Sequence, residues 1–324
     1  MLKTLLTTGW GLRHPIIGAP MANAARGRLA RAITLAGGLG MIGVGSKDSP
    51  DFIQRESAIA RGDGAPARFG IGLMAWLLEA RPELLDAAIR EQPFLISISF
   101  GSVQPYSDRL HRAGILLATQ VNNHAAAVAA AQAGAGVIVA QGTEAGGHTG
   151  FTATLPLLQI VLEAVDKPVL AAGGIGTAAG LSAVLAAAAE GAWIGTRFLL
   201  CPETDHTDSA RERLIAAKET DTIHTSVFDR VNRLAWPEEF PGRALRNAFA
   251  EQWDGREQEL MLQADEIARF RAGADRKDYD VTSIYAGQAV GLLKQRQTAA
   301  EVVHEIGDGA ERLLRERLNH LLGD

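Results

Sequence analysis

The sequence predicts a (β/α)8 barrel, also called a TIM barrel, with a smaller and mainly helical domain inserted before the last helix. From residue 15 to about residue 195, short apolar runs alternate with longer alanine-rich segments of helical periodicity, which is typical of β/α units around a parallel sheet. Eight such apolar runs occur, which is the number of strands in the barrel. Beyond Cys201 the composition becomes more charged and strand-like runs become few, which indicates a helical segment of different character.

The candidate strands are continuous apolar runs rather than alternating ones, as expected of parallel strands that are buried on both faces. They lie at residues 15–19, 40–44, 69–73, 94–99, 114–119, 136–140, 168–172 and 192–195. An open, doubly wound sheet is the alternative fold, and it would place a glycine-rich fingerprint directly after the first strand. The first strand is followed instead by APMANAARG, whose spacing does not match, so the sequence favours the barrel.

Helices are predicted where apolar residues recur at intervals of three and four and where asparagine, threonine or glycine stands at the ends. The clearest barrel helices are 28–36, 123–133 and 177–190, and the charged segment is predicted to hold helices at 209–219, 241–254, 257–272 and 286–295. The amphipathic segment 298–322 is predicted to return to the barrel as its eighth outer helix. Residues 1–207 and 297–324 are therefore assigned to the barrel, and residues 208–296 to the inserted domain.

Composition and charge restrict the environment and the partners of the protein. The 324 residues include 32 Lys and Arg and 37 Asp and Glu, with no long basic run, so nucleic acid is not an expected partner. The single cysteine fits a reducing cytoplasm. The N-terminus lacks the features of a signal peptide, and no apolar stretch reaches the roughly 20 residues of a membrane helix, so we expect a soluble cytoplasmic protein. The alternative interpretation of the last helix is that it mediates dimerisation, in which case the protein would be a homodimer.

The stretch QGTEAGGHTG at residues 141–150 is the first candidate for chemistry, because it directly follows a predicted strand. Gly146 and Gly147 would let the main chain lie flat against a ligand, since neither has a Cβ atom. His148 follows them, and the charge of a histidine can change near neutral pH. In a barrel enzyme the active site lies at the carboxyl ends of the strands, which is where these residues fall. A tight loop with a surface histidine is the alternative interpretation.

A phosphate site is predicted after the seventh and eighth strands, where barrels often bind such a group. The first turn, AAGGIGT, contains Ala172, Gly173 and Gly174, and the second, GTR, contains Gly195 and Thr196. Main-chain N–H groups in these turns, together with a following helix N-terminus, could bind one anion. Ordinary tight turns are the alternative.

Three further groups of residues are weaker candidates. Ala19, Pro20 and Met21 follow the first strand and could line an apolar cleft, although ordinary loop packing would equally explain them. Gln120 and Gln141 end the fifth and sixth predicted runs, where their amides could bond a heterocycle or cap a loop. Cys201 has no nearby histidine partner and is not expected to act as a nucleophile, and the histidines show no metal-binding spacing.

Six segments together resemble the nitronate monooxygenase family of FMN-dependent enzymes, formerly called 2-nitropropane dioxygenases. They are IIGAPM (16–21), AGGLGMIGVG (36–45), QGTEAGGHTG (141–150), PVLAAGGIG (168–176), GAWIGTRF (191–198) and YAGQAVGL (285–292). The resemblance extends from about residue 10 to the C-terminus. It implies a barrel that binds FMN at its carboxyl-terminal mouth, with a small-molecule nitronate and O2 as substrates.

The resemblance also implies a role for individual residues. It makes His148 the catalytic histidine and assigns the cofactor to Ala19, Pro20, Met21, Gly72, Gln120, Gly146, Gly147, Ala172, Gly173, Gly174, Gly195, Thr196 and Gln288. Many relatives have asparagine in the third strand where this chain has Gly72, so a side-chain contact to the flavin is not expected at that position. An NAD(P)H-dependent flavin reductase of quinones or enoyl thioesters is the alternative enzyme, and a flavin-binding barrel without turnover is a third hypothesis.

Overall fold

A computed structural model describes residues 2–63 and 67–323, and within them eight parallel strands form a barrel surrounded by helices. Eleven strands occur in the described residues, of which β7, β10 and β11 lie outside the barrel. They are β1 (Ile16–Gly18), β2 (Met41–Gly43), β3 (Gly70–Met74), β4 (Leu95–Ser99), β5 (Leu116–Val121), β6 (Val137–Gln141), β7 (Gly147–His148), β8 (Val169–Ala172), β9 (Gly191–Ile194), β10 (Thr222–Thr225) and β11 (Gly242–Leu245). All eight predicted barrel strands are thus confirmed, and so is the TIM-barrel fold.

The barrel strands pair in the order β1-β9-β8-β6-β5-β4-β3-β2. A parallel bridge between Ile17 and Leu39 links the two outermost strands, where the amide of Gly18 donates to the carbonyl of Leu39 at 2.9 Å. This link closes the sheet, so the carboxyl ends of all eight strands form one mouth.

The barrel interior is filled at its amino-terminal end and lined by small residues at its mouth. Leu6 and Leu12 close the base and pack in the inner cluster with Met41, Leu95 and Leu170. Alternation along the strands points the next inward positions toward the mouth. These positions hold mainly glycine, alanine and serine, namely Ala19, Gly43, Gly72, Ser97, Ser99, Ala118, Ala172 and Gly195. The upper half of the barrel is therefore lined mainly by small residues, whereas larger side chains fill the lower half.

The described residues contain fourteen α-helices. They are α1 (Gly27–Leu35), α2 (Pro50–Arg61), α3 (Ala75–Ala80), α4 (Glu83–Arg90), α5 (Gln104–Arg112), α6 (His124–Gln132), α7 (Thr154–Ala164), α8 (Ala178–Ala186), α9 (Asp208–Ala216), α10 (Val227–Val231), α11 (Ala248–Trp253), α12 (Glu257–Leu260), α13 (Ala264–Arg276) and α14 (Ala299–Leu322). The predicted caps of α6 and α8 are confirmed, because the side chains of Asn123 and Thr177 accept hydrogen bonds from the amides of Ala126 and Gly180. None of these helices is long and apolar enough to span a bilayer.

The last helix, α14, packs on the barrel as predicted. Val302, Val303 and Ile306 are fully buried in the same cluster as residues of α1 and α8. The hydroxyl of Ser182 in α8 also donates to the carbonyl of Ala310 at 3.3 Å. The face that a free dimerisation helix would expose is therefore used inside the monomer over the first half of α14.

The prediction of a helix at 241–254 was wrong in its first half. Residues 242–245 form strand β11, and helix α11 begins only at Ala248. Strand β10 was also missed, directly after the predicted helix at 209–219. These two strands pair with each other and, through β11, with β7 in the loop after β6. The predicted helix at 286–295 is a 3-10 turn at Gln288–Leu292, and the one at 257–272 divides into α12 and α13.

Substitution of Ile306 by alanine should destabilise the protein by about 2–5 kcal/mol, because the change opens a cavity in a fully buried interface. Chemical denaturation of the two proteins measures the effect. Leu313→Ala on the same helix is the control, since Leu313 is 36% exposed and should change stability far less. Equal effects of the two substitutions would mean that α14 does not depend on this interface.

Candidate active site

The loop after β1 crosses the barrel mouth and covers β2 and β3. A Cβ atom built on Gly43 would lie 2.4 Å from the carbonyl carbon of Met21. A Cβ atom on Gly72 would lie 2.3 Å from the Cβ and 2.4 Å from the Cγ of Pro20. On the opposite side of this loop, the sulfur of Met21 approaches Gly195 after β9, at 3.4 Å from a Cβ built there. The structure therefore brings these predicted residues together, and it explains why position 72 carries no side chain.

The turns after β8 and β9 have unused main-chain donors. Within the described residues, the amides of Gly174, Ile175 and Gly176 donate no hydrogen bond, and neither does that of Thr196. Helix α8 begins immediately after the first turn, so its N-terminal partial positive charge lies at the same place. Gly173 and Gly174 have φ angles of 105° and 69°, a left-handed backbone that favours glycine. This arrangement suits an anion such as a phosphate.

The glycine platform after β6 contacts the inserted segment as well as the barrel. A Cβ atom on Gly146 would lie 2.5 Å from the amide nitrogen of Gly287, so only glycine allows this approach. The Gly287 amide donates to the hydroxyl oxygen of Thr196 at 2.9 Å, and the Gln288 amide donates to the carbonyl of Glu144 at 2.9 Å. Gln288 thus lies at the mouth beside Thr196, with its side chain exposed.

His148 lies on β7, and its main chain pairs with Gly242 of β11. Its side chain is buried, and Nε2 lies 3.0 Å from both carboxylate oxygens of Asp229 on α10. An ionised carboxylate can only accept a hydrogen bond, so Nε2 carries a proton and donates it. Nδ1 makes no hydrogen bond within the described part of the chain, and it is not fully buried. The nitrogen that faces away from Asp229 is therefore free to accept a proton.

Aromatic side chains surround the imidazole of His148. The Trp236 indole is stacked on it, with ring centroids 3.3 Å apart and planes 6° from parallel. The Phe100 ring contacts Trp236 edge to face at 4.9 Å and lies 6.4 Å from the imidazole. Phe100 has a φ angle of 65°, which a bulky residue rarely adopts and which is often found at functional sites.

Tyr285 is the second residue that hydrogen-bonds Asp229, with its hydroxyl 3.4 Å from Oδ1. Desolvation and the neighbouring Asp229 carboxylate raise the pKa of the Tyr285 phenol well above its usual value. The phenol therefore keeps its proton throughout the neutral range and donates it to the carboxylate. Two donors, His148 and Tyr285, thus hold Asp229 in place.

The remaining candidates from the sequence are Gln141, Gln120 and Cys201. The Gln141 side chain is buried and accepts a hydrogen bond from Asn122, as a loop cap would. Gln120 is half-buried near the end of β5, and its main-chain N–H donates to the hydroxyl oxygen of Ser99. Cys201 is fully buried, and burial raises the pKa of its thiol to about 12, so the thiol is not activated as a nucleophile.

Sequence reasoning missed Asp229, Trp236 and Tyr285. Each lies in the segment 208–296, which was interpreted as a helical cap with Gln288 as its one candidate. Tyr285 begins the quoted segment YAGQAVGL and was the most accessible to such reasoning. Asp229 and Trp236 have no local signature, because only the pairing of β7 with β11 brings them to His148.

Comparison with known proteins agrees with this architecture. The nitronate monooxygenase family model matches residues 76–309, more than half of the chain, and the chain belongs to that family. A Rhodococcus jostii protein, (3aS,4S,5R,7aS)-5-hydroxy-7a-methyl-1-oxo-octahydro-1H-indene-4-carboxyl-CoA dehydrogenase, is 30% identical over 94% of this chain and 95% of its own.

Two solved structures resemble the chain over nearly its whole length. FabK from Thermotoga maritima is 28% identical with a TM-score of 0.84, covering 100% of this chain and 99% of its own. A nitroalkane oxidase from Streptomyces ansochromogenes is 27% identical with a TM-score of 0.80, covering 95% and 98%. The protein is therefore an oxidoreductase with a small-molecule substrate.

Substitution of Gly72 by alanine should destabilise the protein by about 1–3 kcal/mol, because the added methyl group collides with Pro20. The midpoint of thermal unfolding measures this effect. Gly45→Ala is the matched control two residues after β2, since a Cβ there meets its nearest neighbour at an ordinary 3.4 Å. If both variants melt at the same temperature, the contact of Gly72 with Pro20 does not constrain the mouth.

Proposed function

We propose that the protein is an FMN-dependent nitronate monooxygenase that oxidises alkyl nitronates with O2 to carbonyl compounds and nitrite. The observation that carries this proposal is the state of His148, whose Nε2 is fixed by Asp229 while Nδ1 remains free. An imidazole can accept a proton in its neutral form and donate one in its cationic form, so one histidine can serve both as base and as acid.

The residues at the mouth fit FMN. The inward-facing residues at the mouth are mainly small, and Ala19, Pro20 and Met21, which cover Gly43 and Gly72, would form one side of the site for the flat ring. Gln120 and the platform of Gly146 and Gly147 would contact the ring. Ala172 and the open amides after β8 and β9, with the hydroxyl of Thr196, would hold the phosphate. Gln288 would reach the cofactor from the inserted segment. When bound, FMN supplies the redox chemistry between the nitronate and O2.

The imidazole of His148 acts on the proton of the substrate. Nδ1 takes the α-proton of a neutral nitroalkane. The resulting imidazolium then donates a hydrogen bond from Nδ1 to the nitronate anion. A substrate that arrives as a nitronate uses the second state alone. Asp229 positions the ring and stabilises its cationic form through Nε2. The hydrogen bond between Nε2 and Asp229 is kept in both protonation states of the imidazole. Both roles require a site that excludes bulk water, which the surrounding aromatic residues provide.

His148→Asn should bind FMN as the original protein does and lose at least about 10²-fold of its kcat/KM with neutral nitroalkanes, the usual contribution of a general base. The absorbance spectrum of the purified protein measures the flavin, and nitrite release measures turnover. His111→Asn is the control, because His111 is exposed on α5. A colourless protein that does not bind added FMN would exclude the proposed function, and unchanged turnover would remove His148 from the mechanism.

Asp229→Asn should lower kcat with neutral nitroalkanes by about 10²- to 10⁴-fold, because an amide can donate to Nε2 and favour the unproductive tautomer. The loss should be smaller with preformed nitronates, which need no proton removal. Steady-state kinetics with both forms of one substrate separates these cases. Asp254→Asn, at an exposed position after α11, should behave as the unsubstituted protein. Equal losses with nitroalkane and nitronate would mean that Asp229 only maintains the fold.

A second function is favoured by the relatives, because one of them acts on a CoA thioester. In this alternative, the protein uses NAD(P)H to reduce a quinone or an enoyl thioester, and the imidazole of His148 supplies or removes the proton next to the carbonyl group. Anaerobic mixing with NADH distinguishes the two functions. Rapid bleaching of the flavin absorbance, followed by recovery on addition of an enoyl thioester, would favour the reductase over the monooxygenase.

A further inference from the structure

Trp236 belongs to the loop of residues 232–241, which joins α10 to β11 without helix or strand. Its neighbours in this loop are largely exposed, and the carboxylate of Glu238 is paired with Arg230 at 2.7 Å on the surface. The indole itself turns inward, where it contacts the rings of His148, Phe100 and Trp76 at 3.3, 4.9 and 5.2 Å between centroids. The loop is thus anchored at its centre by aromatic contacts to the barrel mouth.

The stacking geometry defines how a substrate can reach His148. The lone pair of Nδ1 lies in the plane of the imidazole, so a carbon atom that gives up its proton there must approach in that plane. The indole is larger than the imidazole and parallel to it within 6°, with the ring centroids 3.3 Å apart, so it covers one face of the smaller ring. A group that approaches Nδ1 cannot come from that face.

The Nε2 end of the imidazole offers no second approach. Asp229 occupies it through both carboxylate oxygens, and a Cβ atom built on Gly242 would lie 3.2 Å from Nε2. Tyr285 approaches the imidazole at 5.4 Å between centroids, tilted by 42°. The face covered by Trp236 and the end held by Asp229 are thus both closed, so a substrate must reach Nδ1 in the plane of the imidazole with Trp236 on one side of that plane.

We propose that Trp236 is a specificity-determining residue, which restricts His148 to planar substrates with small substituents on the reacting carbon. This inference rests on the proposed function for its substrate class, a short-chain nitronate. The planar C=NO2 group of such a substrate fits against the indole face, whereas a ring or branch on the α-carbon collides with it. Trp236 does not take part in the proton transfer.

The test compares ethyl nitronate with cyclohexyl nitronate in the unsubstituted protein, Trp236→Ala and Trp236→Phe, all loaded with FMN. In Trp236→Ala, the ratio of kcat/KM for the cyclohexyl over the ethyl compound should rise by about tenfold or more, through a lower KM for the larger compound. Trp236→Phe keeps a flat ring over the imidazole and should retain a ratio closer to the original. Melting temperatures verify that each variant is folded.

A loss of kcat/KM that is equal for both nitronates in Trp236→Ala would overturn the inference, because it would show that Trp236 only supports His148. Calorimetric titration with acetate and cyclohexanecarboxylate provides a readout that does not depend on turnover, since a carboxylate is isoelectronic with a nitro group. If the affinity for cyclohexanecarboxylate relative to acetate rises about tenfold in Trp236→Ala, the size limit is supported even if neither nitronate reacts. The absence of any reaction with either nitronate would exclude only the proposed function. No gain for the larger acid would overturn the inference.

Discussion

The pairing of β7 with β11 is the interaction on which the candidate site depends. Two residues of the loop after β6, Gly147 and His148, form a short antiparallel ladder with Arg243 and Gly242. This ladder fixes the main chain of His148, and it extends the β10–β11 sheet of the inserted segment onto the barrel mouth. Without it, the imidazole would sit on a loop and Asp229 would have no fixed position relative to it. The barrel supplies the histidine and the inserted segment supplies its hydrogen-bond partner, so neither part forms the site alone.

Glycines make this contact between the two parts sterically feasible. A Cβ atom on Gly242 would lie 2.7 Å from the ring of Tyr285, and one on Gly146 would lie 2.5 Å from the amide of Gly287. Such distances are shorter than any normal carbon contact, so larger residues would push the inserted segment away from the mouth. Gly146, two residues before His148, therefore has a structural role in addition to its proposed contact with the cofactor. It allows the main chain at 285–288 to approach closely enough for hydrogen bonds to Thr196 and Glu144.

The sequence predicted the barrel well because its signals are local. Buried parallel strands are continuous apolar runs, and the caps at Asn123 and Thr177 act within one helical turn. The segment 242–253 was misinterpreted because GRALRNAFAEQW has the composition of a helix, while β11 is a strand through its pairing with β7 and β10. Asp229 and Trp236 were missed for the same physical reason. Their positions are set by contacts with residues about 80 to 140 places earlier in the chain, and no short motif records such contacts.

The barrel and the inserted segment contribute different groups to the candidate site, which suggests how one fold can support more than one flavin reaction. The predicted cofactor contacts come mostly from turns at the ends of β1, β5, β6, β8 and β9, whose main-chain atoms are insensitive to side-chain changes. Most of the groups around the imidazole, in contrast, are side chains of the inserted segment, namely Asp229, Trp236 and Tyr285, and Phe100 is contributed by the barrel. Substitutions in the inserted segment can alter access to the imidazole while the turns of the proposed cofactor site at the barrel mouth stay intact. Substrate preference in this architecture should therefore change through the inserted segment, and the barrel should change far less.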